Sequence, residues 1–343
     1  MISPPWFEDF NVGDDFSNVP SVTLTEGYAA LHQAMFADRL RLPLDKPLSF
    51  AVTGRHAFLA NSSLVGNMAI GQSTVPSQRV IGNLFYRGMV FRKPVFIGDT
   101  LTTQTRLIAL RQNRIREGRA ATGMIVLEIH VHNQHDETVM HFWRCPMIPC
   151  RAPDADTGRN DSLDTIPETI ADEDLANAVP DWDYPAYVGR VPGCHYEDYH
   201  AGSSFIVEAR DTITSAPELA RMTLNLAMPH TDAGRSVYGK RLVYGGHTIS
   251  MAAAQLSRAI PNLMSILAWY RCDHSAPVFE GDIIDSVVTI DDKLDLGSAG
   301  ILKLHVEVHA HRGEEAPEPG EHIKVLDWQL AGLMAKRSLQ YSK

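Results

Sequence analysis

Cysteine is scarce in this chain of 343 residues: Cys145, Cys150, Cys194 and Cys272 are the only four, and none forms a C-x-x-C pair. That argues against a disulfide scaffold and a clustered-cysteine metal site, and it fits a reducing compartment where small buried thiols are ordinary core residues. Positive charge is also short. Lys plus Arg number 31 against 41 Asp plus Glu, a net charge of −10. General binding to nucleic acid or to an anionic membrane usually needs a positive field, so neither is expected. No uncharged apolar run reaches the roughly 18 residues of a membrane-spanning helix. Residues Met1 to Asn11 carry Glu8 and Asp9 and no apolar segment of the kind that marks a secretion signal. The expected location is cytoplasmic. Nucleotide-binding glycine loops and a G-x-S-x-G nucleophile elbow are absent too, which leaves a dinucleotide fold and a serine hydrolase without support.

What is present is a repeat. Phe7-Glu8-Asp9-Phe10 is echoed by Tyr196-Glu197-Asp198-Tyr199, and Thr23-Leu24-Thr25 by Thr212-Ile213-Thr214 at the same interval. Tyr86-Arg87 returns as Tyr270-Arg271, and Pro94-Val95-Phe96-Ile97-Gly98-Asp99 as Pro277-Val278-Phe279-Glu280-Gly281-Asp282. Trp143 and Trp328 each sit in the last apolar segment of a half. One echo could arise by chance, but several in the same order indicate duplication. The chain divides into homologous halves, residues 1–152 and 190–343. Between them an Asp-, Glu- and Pro-rich stretch, residues 153–189, reads as an acidic linker wrapping the surface.

Each half reads as α+β. Met124 to His132 and Ile301 to His309 alternate apolar and polar residues, the pattern of half-buried antiparallel strands. Arg312 to Glu321, with Gly313, Pro317, Pro319 and Gly320, reads as a loop. Helical spacing is confined to a few places. His247 to Ala259 follows Gly245-Gly246, stops before Pro261, and puts Ile249, Ala252, Ala253 and Leu256 on one face. Its counterpart is Ser62 to Ile70. One apolar helix among long antiparallel strands suggests a sheet wrapped around a central helix.

The segment Arg241-Leu242-Val243-Tyr244-Gly245-Gly246-His247, together with Phe7-Glu8-Asp9-Phe10, Val12-Gly13-Asp14 and both Pro-Val-Phe-x-Gly-Asp turns, resembles the MaoC-like dehydratases. The tandem layout is similar to that family's double-hotdog members, which include mesaconyl-CoA (β-methylmalyl-CoA) hydratases. A mycobacterial double-hotdog group of unassigned substrate shares Gly82-Asn83-Leu84-Phe85-Tyr86-Arg87-Gly88 and Leu224-Asn225. The likeness covers nearly the whole chain except the linker. It implies two tandem hotdog domains forming an intrachain pseudo-dimer, compatible with pairing of whole chains. It also implies hydration of a trans-2-enoyl-CoA thioester, or the reverse dehydration, with CoA entering as part of the substrate and no cofactor.

The family motif is an Asp, four residues, a His, and a second Asp two positions on. Its best match here runs from Asn225 to His230 and Asp232. The resemblance therefore places His230 as the acid-base residue, with Asn225 and Asp232 positioning water. An Asn amide orients water but cannot take a proton, so His230 acts alone or another group moves in; Asp232 and His247 are nearest in sequence. Gly245 and Gly246, beside Tyr244 and His247, stand where free helix N–H groups would hold the thioester oxygen. The first half offers Asp38 but no matching His, so it is expected to be non-catalytic and to shape the acyl pocket.

Other features receive bland readings. Arg87 and Arg271 could contact a CoA phosphate or serve as strand residues. His130 with His132, and His309 with His311, have a spacing that can chelate, but no recognised pattern is completed and no metal is expected. Asp99 and Asp282 read as turn residues, and Asp273-His274 as a loop feature rather than an acid-base pair. Two alternatives to a hydratase stay open: a degenerate thioester-binding protein, suggested by Asn225, and a hotdog thioesterase.

Overall fold

The computed structural model describes residues 3–313 and 320–337. The first half runs β1 (Val22–Thr23), α1 (Glu26–Phe36), α2 (Arg41–Leu44), α3 (Lys46–Thr53), α4 (Ser62–Gln72), β2 (Gly82–Phe91), β3 (Thr100–Gln112), β4 (Thr122–His132) and β5 (Thr138–Pro149). Helices α5 (Asp172–Ala178) and α6 (Tyr184–Arg190) follow. The second half runs β6 (Ser204–Ile206), β7 (Asp211–Thr212), α7 (Ala216–Met222), α8 (Gly245–Ala259), β8 (Ser265–His274), β9 (Ile283–Asp295), β10 (Ala299–His311) and β11 (His322–Ala335).

The strands lie in the order β1-β3-β4-β5-β2-β8-β11-β10-β9-β6, with β7 also on β9, and every pairing is antiparallel. The halves therefore have the same strand order, reflected in β3-β4-β5-β2 and β8-β11-β10-β9. They join through β2 and β8 into one sheet, with Arg87 opposite Arg271 at the centre of the seam. This is the double-hotdog layout that the resemblance implies, with one hotdog unit in each half of the repeat. The two central helices, α4 and α8, lie together inside the curved sheet. Every residue of α4 is buried, and so are Gly246 to Ser257 of α8. Asn67 Nδ2 on α4 donates to Ser250 Oγ on α8 at 2.7 Å, stitching the helices in their otherwise apolar contact.

Trp328, Tyr86 and Phe142 are fully buried in the main core between sheet and helices. Each such side chain contributes roughly 1.5–3 kcal/mol by leaving water. Glycine is required where the packing is closest: a Cβ on Gly123 would enter the Phe7 ring, and one on Gly300 the Tyr196 ring. Phe7 and Tyr196 are the opening aromatics of the two echoed tetrapeptides, so each half closes on the same ring-over-glycine contact.

Three expectations need amendment. First, α1, α2 and α3 add helices that the sequence reading passed over. Second, the 153–189 stretch does more than wrap the surface. Its Ile166, Leu175, Trp182, Tyr184 and Tyr187 are buried. Trp182, Tyr184 and Tyr187 pack with Leu267, Ala268 and Ala331, while Ile166 packs with Cys145 and Val126 on the sheet face turned away from the helices. Third, the loop expected over 312–321 falls largely outside the described residues. Among the described residues, no helix is long and apolar enough to cross a membrane.

Candidate active site

A cavity of about 210 Å³ opens between the halves at the N-terminus of α8. The second half contributes Asn225, Ala227, His230, Leu242 to Gly245, Thr248 and His274. The first half contributes Thr74, Ser77, Val80 to Leu84, Tyr86, Arg144 and Met147. Both halves thus line one site, and among the described residues no Asp or Glu lines it.

His230 ends a short 3-10 turn, Met228–His230. Its Nδ1–H donates to the Leu242 carbonyl at 2.9 Å, which leaves Nε2 without a proton and available as a base. Burial pulls its pKa down to about 4, so the ring is neutral at pH 7. The turn is held by the first half: Leu226 N–H donates to Thr74 Oγ1 at 2.9 Å, and Met228 N–H to the Gln78 carbonyl at 2.9 Å. Asn225 is buried beside it, and its Oδ1 accepts from Ala227 N–H at 2.9 Å. The Asn225 amide also hydrogen-bonds the Tyr244 hydroxyl, which itself donates to the Asn67 carbonyl at 3.2 Å.

Helix α8 begins at Gly245 with Tyr244 as N-cap, so the Gly245 and Gly246 amides belong to the turn that has no intrahelical acceptor. A Cβ at Gly245 would come within 2.6 Å of His274 Nε2, and one at Gly246 would strike Asn67 Oδ1 and the Tyr244 ring. The glycines therefore admit side chains from both halves to the helix end.

Of the residues anticipated from sequence, Asn225, His230, Tyr244 and Gly245 meet in the cavity, and Gly246 lies directly behind it. Asp232 does not join them. It is 60% exposed, and its Oδ1 accepts from Gly234 N–H at 2.9 Å to cap the next turn. His247 points elsewhere because residues two apart on a helix face different sides. Its Nε2–H donates to the Thr214 carbonyl at 2.7 Å, and its ring packs on Phe36. Arg87 and Arg271 occupy the other side of the sheet from the cavity-facing Tyr86. Both bind Asp273, each at 2.6 Å, so neither reaches the site.

The residue that sequence reasoning set aside is His274. It is the last residue of strand β8, not part of a loop, and it lines the cavity while Asp273 points to the opposite face with Arg87. Burial pulls its pKa down to about 4, and the nearby His230 adds to the effect. Its Nε2 is buried with no hydrogen-bond partner among the described residues. The strand alternation that sends Asp273 one way sends His274 the other, a signal present in the sequence.

Asp99 and Asp282 take the expected turn role, accepting from the Phe96 and Phe279 amides at 2.8 and 2.9 Å. The histidines on the strands group differently from the in-strand pairs. His130 stacks on His141 beside Glu128, and His309 lies with Asp285 and His322. None of these lines the cavity.

The equivalent place in the first half is nearly closed. At the N-terminus of α4 a cavity of about 30 Å³ is lined by Ser62, Val65 and Phe91, with Ala178, Pro180 and Trp182 over it. By the Pro94/Pro277 echo, these first three stand where Gly245, Thr248 and His274 stand in the open site. Asp38, the first-half acid, is buried, accepts from Asn61 Nδ2 and from the Leu40 amide, each at 2.9 Å, and is pushed up in pKa by burial.

Comparison with known proteins places this architecture. No family model matches the sequence. A β-methylmalyl-CoA dehydratase of Chloroflexus aurantiacus is 30% identical, over 97% of this chain and 97% of its own. A conserved hypothetical protein of Mycobacterium tuberculosis with a double hotdog fold is 42% identical, with a TM-score of 0.86 over 96% of this chain and 98% of its own. The structure of a putative MaoC domain dehydratase from Chloroflexus aurantiacus is 26% identical, with a TM-score of 0.85 over 98% and 99% of the two chains. With full-length identity to a dehydratase and the same double-hotdog frame, the chain belongs to the MaoC-like double-hotdog dehydratase family.

Proposed function

We propose that the protein is an acyl-CoA hydratase/dehydratase, adding water to, or removing it from, a double bond conjugated to a thioester. One observation carries the reading: a neutral, buried His230, fixed by the Leu242 carbonyl, presents Nε2 to a cavity at the N-terminus of α8. In hydration, Nε2 takes a proton from water as the hydroxyl oxygen bonds to the β-carbon. The π electrons shift toward the thioester, and the resulting enolate oxygen lies at the Gly245 and Gly246 amides, where the helix end stabilises negative charge. The imidazolium then returns its proton to the α-carbon. Water, substrate and His230 account for every proton and electron pair, so no metal or redox cofactor enters the proposal.

Asn225 supports the base without replacing it. Its carbonyl braces the turn that carries His230, and its amide can orient water but not accept a proton. His274 replaces Asp232 and His247 as the second group at the site, a neutral imidazole beside the helix end. The chemistry is assigned to the second half alone, with the first half supplying one wall of the cavity. Family membership and the relative named as a CoA dehydratase support the same reading.

The test is turnover of a panel of trans-2-enoyl-CoA esters, following loss of the conjugated thioester absorbance and any release of thiol. Hydration consumes the absorbance without thiol. A folded His230→Ala variant should lose on the order of 100-fold or more in kcat; parental rates in that variant refute the assignment. Thiol release would instead identify a thioesterase, and acyl-CoA binding with no turnover a binding protein.

A further inference from the structure

Asp285, His309, His311 and His322 come together on the face of the sheet turned away from α4 and α8. They lie on three adjacent strands, β9, β10 and β11, while their neighbours Ile284, Val308 and Ala310 point into the core. One ligand atom each from Asp285, His309 and His322 lies within 4.8 Å of the other two. The His309 and His322 rings are 5.2 Å apart and tilted by 41°, so their nitrogen lone pairs can converge. His311 Nε2–H donates to Asp285 Oδ2 at 2.7 Å and fixes the carboxylate. Arg210 Nε is also 3.2 Å from that oxygen, but its side chain is 54% exposed and can withdraw into water.

The other groups of histidine and carboxylate on the sheet differ. His130 and His141, beside Glu128, stack face to face at 4.0 Å, so their lone pairs run parallel instead of meeting at a point. His305, Glu307 and Asp327 already have a cation, because Lys324 is bonded to both carboxylates. Duplication supplies a control for the first group. The β4–β5 ladder slips between Val131 and His132, and the β10–β11 ladder between Val308 and His309. That shared bulge puts His132 in the place of His309 and Thr138 in that of Lys324. His132 then faces Thr102 where His309 faces Asp285, and Asp136 stands in the place of His322. The second half alone has gathered a ligand set.

We propose that Asp285, His309 and His322 bind one borderline divalent transition-metal ion, zinc in the first instance, with water as a fourth ligand. Two imidazole nitrogens and a carboxylate oxygen suit zinc, nickel or copper, whereas magnesium and calcium favour oxygen ligands throughout. Tetrahedral ligand atoms about 2.1 Å from zinc lie roughly 3.4 Å from one another. The set therefore draws in by no more than about 1.4 Å from its present spacing, and the exposed His322 ring can turn to close the gap. The His311 hydrogen bond to Asp285 is the outer support that a ligating carboxylate needs. The ion clamps β9, β10 and β11 together. It lies across the sheet from the cavity, so it is structural and independent of the hydratase reading.

The test uses the full chain without a histidine tag, stripped by a chelator, dialysed, and titrated with Zn²⁺. One ion per chain should bind with micromolar or tighter affinity, and millimolar Mg²⁺ should not displace it. Loss of a group that only orients a ligand typically costs about 10–100-fold in metal affinity, so losing a ligand in His322→Ala should cost about 100-fold or more. His130→Gln, in the stacked first-half pair, should bind zinc as the wild type does. Zinc should raise the thermal midpoint of the wild type and of His130→Gln but not of His322→Ala. No zinc bound at micromolar concentration, an affinity unchanged in His322→Ala, or binding lost in His130→Gln overturns the proposal. A second measurement needs no variant. Diethylpyrocarbonate labelling of the wild type, located by peptide mass spectrometry, should fall at His309 and His322 when zinc is present; equal labelling with and without zinc also overturns it.

Discussion

Lowering the pH from 7 to 5 should destabilise this protein more steeply than its acidic composition suggests, through histidines rather than carboxylates. Four imidazoles are held neutral by desolvation: His230, His247 and His274 with pKa values of about 4, and His32 with one of about 3. Desolvation is the leading cause in each case. In the unfolded chain each returns to about 6.5. The unfolded state therefore binds more protons throughout the interval, and stability falls as pH falls. The contribution is complete above pH 6.5 and is lost as pH drops toward the folded values. For a folded pKa of about 4, linkage gives about 2 kcal/mol lost per histidine at pH 5. Four such groups together approach the whole stability of an ordinary domain, roughly 5–15 kcal/mol. Asp38 and Asp291 work in the opposite direction, because burial raises their pKa, but burial also lowers that of His141 and His195, so the histidines prevail. Urea unfolding followed by circular dichroism at pH 7, 6, 5.5 and 5 measures the slope. His247→Gln, which keeps a donor for the Thr214 carbonyl, should reduce that slope by about one proton. A stability that stays flat within about 2 kcal/mol from pH 7 to pH 5 would refute the argument, and imidazole resonances titrating near pH 6.5 in the folded protein would show why.

Two further outcomes follow from the site. Asn225→Asp places a carboxylate beside His230 in a cavity that no other Asp or Glu lines among the described residues. Turnover gained where the parent has none would indicate a site that had lost its acid. Turnover reduced about tenfold or more would indicate one built around the amide, with initial rates on the best enoyl-CoA deciding between them. Gly71→Ala tests the first half's hold on the His230 turn. A Cβ there would collide with the Thr223 carbonyl, two residues before Asn225. Overpacking of about 1–3 kcal/mol exceeds the helix-propensity gain of about 1 kcal/mol. The variant should melt a few degrees lower and lose turnover beyond what its folded fraction explains, whereas an unchanged kcat would separate the two segments functionally.

The repeat was legible in sequence because structural needs recur as the same residue types. Pro-Val-Phe-x-Gly-Asp requires a turn, an Asp that accepts an amide, and apolar anchors, and those needs recur in both halves. The α8 entry was legible for the same reason, since only glycine tolerates Asn67 and His274 pressing on the helix end. The helices over residues 26–53 were not, because they carry few charges and leave apolar Leu31, Leu44 and Phe50 exposed, which blurs the polar–apolar period. Position in the cavity was harder still. Asp232 is two residues from His230 yet turns to solvent, while His274 is far away in sequence and lands beside it. Proximity along a loop says little about direction. Alternation along a strand says more, and it separates His274 from Asp273 and the cavity-facing Arg144 from Trp143 and Cys145, which pack on the other face. Arg144 offered a signal of its own, a lone charge inside Phe142-Trp143-Arg144-Cys145-Pro146-Met147-Ile148, but a strand buried on both faces hides which face carries it.

Duplication places two equivalent cavities in one chain, and the differences between them bear on why one is open. Opening the second-half cavity takes a glycine for close approach, a threonine and a histidine, at Gly245, Thr248 and His274. The first half has Ser62, Val65 and Phe91 in those places, and Ala178 and Trp182 from beyond β5 cover what space remains. The closed cavity still contributes to the open one. The first-half helix α4 supplies Asn67 to Ser250 and Tyr244, its end abuts the segment leading to Asn225, and the chain after it holds Leu226 and Met228. Filling one cavity with Val65, Phe91, Ala178 and Trp182 leaves little space in that half for a ligand. A half filled in this way serves as the wall against which the base, His230, is held on its short turn by Thr74 and Gln78. The asymmetry between the halves therefore reads as a division of labour, in which one copy carries the base and the helix end while the other completes the cavity wall and holds them in place.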